Sequence, residues 1–92
     1  MPTVSWFYGI AIRMFYNDHP PPHFHAFYGD EAAVISIETG QVIEGALPTV
    51  ARRLVQEWTL LHREELRENW RRVRPGVRAP LQKIPGLDNE NG

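Results

Sequence analysis

Two regimes of residue spacing predict an α+β fold: a small antiparallel β-sheet of about four strands, packed on one long C-terminal helix and followed by an irregular tail. From Ile10 to Gly45, short apolar and aromatic blocks are separated by Gly, Asn and Pro breakers, which is the pattern of strands and turns. From Pro48 to Arg74 no Gly or internal Pro interrupts the chain, and apolar residues recur three and four apart, which is the pattern of a helix. Residues 1–74 are expected to form a single α+β domain. Residues 75–92, with Pro75, Pro80, Pro85, Gly76 and Gly86 and no period, are expected to form an extended or disordered tail.

Taken in order, Trp6, Phe7 and Tyr8 are expected to cover one end of the core. Ile10, Ile12, Met14 and Tyr16 alternate with Ala11, Arg13 and Phe15 after the breaker Gly9, a period-2 strand. Asn17-Asp18-His19 and the prolines 20, 21 and 22 must leave the sheet, because proline has no N–H to donate. His23 to Tyr28 re-enters as an aromatic-rich strand. Gly29-Asp30 reads as a turn into Ala32 to Glu38, and Thr39-Gly40-Gln41 as a second turn into Val42 to Glu44. Pro48 suits the first turn of a helix and Pro75-Gly76 stops it. A helix of about 27 residues would span roughly 40 Å, beyond the reach of so small a sheet, so its last turns overhang or it bends near His62 to Glu65.

The chain has 92 residues, 42% of them hydrophobic and 23% charged, which suits one globular domain and argues against wholesale disorder. No apolar run approaches the roughly 20 residues of a membrane span, and no basic start leads into an apolar stretch, so neither a membrane anchor nor a secretory signal is expected. Cysteine is absent, which excludes disulfides, thiolate metal sites and cysteine nucleophiles and leaves a cytoplasmic address as the expectation. The net charge of -1 selects neither nucleic acid nor membrane. The charge is uneven, however: residues 63–83 hold seven basic residues against three acidic ones.

Advancing about 100° per residue from Val50 places Leu61, Leu54, Trp58, Ala51, Val55, Val73 and Leu66 on one arc, with Glu65 near 60°, Asn69 near 100° and His62 near 120° inside it. These three polar residues lie three or four apart and can touch. A carboxylate buried without partners is destabilising by several kcal/mol, so Glu65 needs a donor, a metal or a proton. Either the group is a satisfied network, with His62 donating to Glu65 and Asn69 tying down a loop carbonyl, or it forms a site against the sheet.

His19, His23 and His25 cluster within seven positions. In a strand, residues two apart share a face at about 6 to 7 Å, which suits two imidazole ligands on one divalent metal, with His62 or a carboxylate completing the set. If Phe24, Ala26 and Tyr28 face the core, His23 and His25 turn away from the helix and from His62. If His23, His25 and Phe27 face the helix, the two groups meet. Asp18 is a turn acceptor, a ligand or a base, and Glu65 is the other candidate catalytic carboxylate. The row Arg63, Arg67, Arg71 and Arg74 is either a solvated helix face or a contact for nucleic acid or a partner, and Trp70, at the margin of the arc, either caps the sheet or meets that partner. Glycine-rich nucleotide loops and a nucleophile-elbow serine are absent.

Together, Asp18-His19-Pro20-Pro21-Pro22-His23-Phe24-His25 with Tyr28-Gly29, Gly45-Ala46-Leu47-Pro48, Trp58, His62-Arg63-Glu64-Glu65-Leu66 and Asn69-Trp70 resemble the small bacterial and archaeal family catalogued as domain of unknown function 4160. The resemblance runs from about Pro2 to Trp70. It implies an intracellular prokaryotic protein with a small protein partner encoded nearby, in a toxin–antitoxin-like or regulatory pair, and it implies no catalytic residues. Two functions follow as expectations. One is a binding or regulatory module of a two-gene system, with nucleic acid or a second copy of the chain as further partners and the membrane excluded. The other is a metal-dependent hydrolase or nuclease, with a divalent metal on His23, His25 and His62 and with Glu65 or Asp18 as the working carboxylate.

Overall fold

The computed structural model describes residues 3–89 and is α+β. Strands β1 (Thr3–Phe7), β2 (Ile10–Arg13), β3 (His23–Tyr28), β4 (Glu31–Ser36) and β5 (Val42–Gly45) form one sheet in chain order, each antiparallel to its neighbour. Helices α1 (Thr49–Leu61) and α2 (Arg63–Arg72) follow, and a 3-10 turn at Leu87–Asn89 comes last. No helix among the described residues is long and apolar enough to cross a membrane.

The sheet has five strands, not four; the additional one is β1. Alternation does not reveal it, because Val4 and Ser5 are both buried at a register irregularity against β2. Tyr8 and Gly9 both take positive φ and close a two-residue hairpin into Ile10, as a type I′ turn does. Phe7 thereby faces the core rather than capping one end of it.

The single long helix is divided in two, at the place where its length called for a bend. His62, at φ -118° and ψ 25°, separates α1 from α2. The rotation of α1 differs from the arc drawn through Val50: Val50 is 68% exposed and Leu61 58%, and the buried side is Ala51, Val55, Trp58 and Thr59. Trp58 sets this rotation. Its ring meets Phe7 at 5.2 Å and Phe24 at 5.6 Å, and its Nε1 donates to the Pro85 carbonyl at 2.8 Å. Burial of a large side chain stabilises by roughly 1.5–3 kcal/mol, and no single aliphatic residue on the opposite face offers as much area. Thr59 is tolerated inside because its hydroxyl donates to the Val55 carbonyl at 2.7 Å.

The segment after Pro75 is irregular but docked, not loose. Its residues 90–92 lie outside the described residues, as do 1–2. The Ile84 N–H donates to the Val4 carbonyl at 2.8 Å, and the Ile84 side chain is buried. Trp58 holds Pro85, and Asp88 accepts from the Tyr8 N–H at 3.1 Å. The chain thus covers the outer edge of β1, which protects an edge strand from further pairing. Gly86 makes the approach feasible, since a Cβ there would stand 2.7 Å from both the Phe7 Cβ and the Trp6 carbonyl oxygen.

Replacement of Gly86 by Ala is therefore expected to destabilise the domain by about 1–3 kcal/mol through overpacking, measured by urea denaturation. An unchanged midpoint would show that the tail does not dock on β1.

Candidate metal centre

Strand β3 settles which way the histidines face. Phe24 and Ala26 are fully buried beneath the helices, so His23, His25 and Phe27 lie on the opposite side of the sheet. His23 and His25 therefore do not meet His62. The loop before the strand supplies the third group instead. Asn17, at φ 63°, donates its N–H to the Val73 carbonyl at 2.8 Å, and Arg74 donates to the Asp18 carbonyl. At the other end of the loop, Pro22 accepts from the Ile37 N–H at 3.1 Å. The Pro20–Pro21 peptide is cis. Asp18 is thus fixed from the C-terminal end of α2 and its side chain turns toward the start of β3.

One oxygen of Asp18 receives both imidazoles. Asp18 Oδ2 lies 2.8 Å from His23 Nε2 and 3.1 Å from His25 Nε2, and the ligand atoms of the three residues all fall within 4.8 Å of one another. The other oxygen accepts the His19 N–H at 3.0 Å and lies 3.2 Å from His19 Nδ1, whose ring is 86% exposed. His23 Nδ1 stands 2.7 Å from the Pro21 carbonyl oxygen. A carbonyl only accepts, so Nδ1 carries a proton and Nε2 is the nitrogen left to face the carboxylate, across a proton or a metal ion. The rings are held by packing: His23 lies 5.2 Å from Trp70, and His25 meets Phe15 edge-on at 4.6 Å. Burial acts to raise the Asp18 carboxyl, but hydrogen bonds from His25, the His19 N–H and His23, together with the His23 charge, hold it below its ordinary value of 3.8.

The other expected site residues are elsewhere. His62 is buried against Trp58, with Nδ1 2.6 Å from Glu65 Oε1, and Glu65 is 44% exposed at its side chain. Asn69 is fully buried; its amide donates to the Gln82 carbonyl and accepts from the Gln82 N–H, both at 2.9 Å. This pair ties the tail to α2 and takes no part in the histidine cluster. The polar group His19, His62, Glu65 and Asn69 is therefore divided, with only His19 at the Asp18 cluster.

Within the arginine row, Arg67 and Arg71 meet carboxylates of their own chain. Arg67 bonds Glu38 at 2.6 and 3.1 Å and Glu64 at 2.7 Å, and its guanidinium holds the Glu38 carboxyl below the usual range. Arg71 and Arg72 share Glu68, which they push down to about 2. Arg74 stacks over Trp70 at 4.6 Å, and the buried Nε of Arg63 has no hydrogen-bond partner among the described residues. Sequence spacing gave no sign of the Pro21 carbonyl or of the Glu38 pairing, since both partners are remote from the helix in sequence or lie on the backbone.

A family model described as domain of unknown function (DUF4160) matches residues 9–71, which include Asp18, His19, His23 and His25, while Val73 and Arg74, which hold the loop, lie beyond the match. No curated protein and no solved structure matches the chain.

The depressed Asp18 carboxyl gives a signed pH dependence. Its contribution to stability is present above about pH 3.8 and is lost as pH falls through the lowered value. The stability difference between the wild type and Asp18→Asn, followed by urea denaturation, is expected to hold near pH 5 and to narrow as pH falls below 3.8. A difference that stays constant over that interval would mean that the imidazoles do not hold the carboxylate.

Proposed function

The chain belongs to the DUF4160 family, and we propose that it is a divalent-cation-binding domain with Asp18, His23 and His25 as the ligands. One observation carries this reading: two Nε2 atoms and a carboxylate oxygen converge within 4.8 Å while His23 Nδ1 is committed to a backbone carbonyl. That bond fixes the tautomer and raises the basicity of the ring, as the outer partners of metal-bound imidazoles commonly do. Two imidazoles and a carboxylate favour a borderline metal such as zinc, and three protein ligands leave coordination positions open.

An open position on a centre that Asp18 and His25 leave partly exposed takes an oxygen from another molecule, which suits a binding or regulatory module that recognises an anionic group of its partner. Arg74 and the exposed His19 stand beside the centre and favour that charge. The proposed setting is a cytoplasmic prokaryotic protein paired with a small protein encoded nearby, as in a toxin–antitoxin-like system. A metal-dependent hydrolase or nuclease is the second reading. It is favoured by a recess of about 170 Å³ at His25, lined also by Val34 and Glu44, into which a substrate adjoining the metal would fit. In that case the cation acts as a Lewis acid on a phosphoryl or carbonyl oxygen.

Calorimetric titration of zinc into protein made without a histidine tag is expected to show one bound ion per chain. His25→Ala and Asp18→Ala should weaken it by about a hundredfold or more, while His62→Ala leaves it unchanged. Absence of binding in the wild type would overturn the proposal. Turnover of a phosphodiester by the loaded wild type, lost in His25→Ala, would favour the hydrolase over the module.

A further inference from the structure

We infer that the outer face of α1 is a self-association surface, through which two copies of the chain pair antiparallel about a twofold axis. Helix α1 has two apolar sides. One is buried around Trp58; the other leaves Val50 at 68%, Leu61 at 58% and Leu60 at 53% exposed, with Leu54 half-buried between them. Three largely exposed aliphatic residues on a helix of 13 residues are more than its own fold can use. Val50, Leu54 and Leu60, together with Arg53, Gln56 and Glu57, line an open groove of about 530 Å³. None of the groups at the Asp18 cluster belongs to this helix, so the inference stands independently of the metal reading.

The occupant follows from the register of the charges. Val50, Leu54, Glu57 and Leu61 repeat at intervals of four, three and four, the seam of a two-helix contact, with Arg53 and Leu60 beside it. Glu57 is the one charged member of that seam. On its own helix Arg53 precedes it by four residues, the less favourable orientation for an ion pair, and neither joins an ion pair among the described residues. Pairing the stripe antiparallel about a twofold axis level with Val55 sets Val50 against Leu60 of the second copy. The same operation sets Arg53 against Glu57 of that copy, and symmetry repeats the contact. An isologous interface requires a patch complementary to itself, and this stripe is self-complementary in both apolar content and charge. A helix of this length is only about 20 Å long, so the contact falls at the small end of specific interfaces and the dimer should dissociate in the micromolar range.

The test is sedimentation equilibrium of the wild type across the micromolar range, with Arg53→Glu, Glu57→Arg and the double exchange. All three changes are at exposed positions, and a thermal melt verifies that each variant is folded. The wild type is expected to pass from monomer to dimer. Each single exchange should weaken association at least about tenfold by placing like charges together, and the double exchange should restore it. A wild type that stays monomeric throughout, single exchanges without effect, or a double exchange that fails to recover association would each overturn the inference.

Discussion

Alternation along one strand divides this molecule into two chemistries. In β3, Phe24 and Ala26 must face the helices because the aromatic core is built around them, and the period of two then forces His23 and His25 to the other side. A slip of one residue would exchange the two sets and bring imidazoles into the core. The pairing of β3 with β2 and β4, three and six residue pairs respectively, makes that slip prohibitive. Core packing on one face thus fixes the position of the polar cluster on the other.

The second requirement is that Asp18 arrive at the same place, and this depends on elements remote in sequence. The loop carrying Asp18 hangs from the end of α2 through Val73 and Arg74. The direction of α2 depends in turn on the break at His62 and on Asn69 holding the docked tail at Gln82. Polar groups inside the helical arc therefore serve the site indirectly. His62, Glu65 and Asn69 satisfy one another or the tail, and by fixing α2 they fix the loop that presents the carboxylate. A buried amide that is fully hydrogen-bonded is a strong positional constraint, since any other placement leaves its donors and acceptors unpaired in a dry interior.

The surface reflects the same partition. On α2 three of the four cations, Arg67, Arg71 and Arg72, are matched by Glu38, Glu64 and Glu68. The aliphatic residues of α1 have no such match within the chain. Positive character is kept near the Asp18 cluster, where Arg74 is engaged with a carbonyl and an aromatic ring rather than with a carboxylate. The Asp18 cluster, at the start of the central strand β3 and away from the apolar stripe of α1, leaves the two surfaces free to act separately.

Much of this was readable in residue spacing. The α+β class, the strands from Ile10 onward, their turns, the helix start at Pro48 and its stop before Pro75 all follow from local rules of proline, glycine and period. The histidine spacing, two apart in a strand, by itself put His23 and His25 on a common face. Local rules had no means of finding β1, whose bulge buries consecutive residues, or the rotation of α1, since Val50, Leu54 and Leu61 are as apolar as the residues that are buried. Nor did they choose between Asp18 and His62 as the companion of the two histidines. Those outcomes depend on which surfaces compete for the same core volume. Trp58 took the core, which turned the aliphatic stripe outward and sent β3's imidazoles to the far face, where the proline loop brings Asp18 to them.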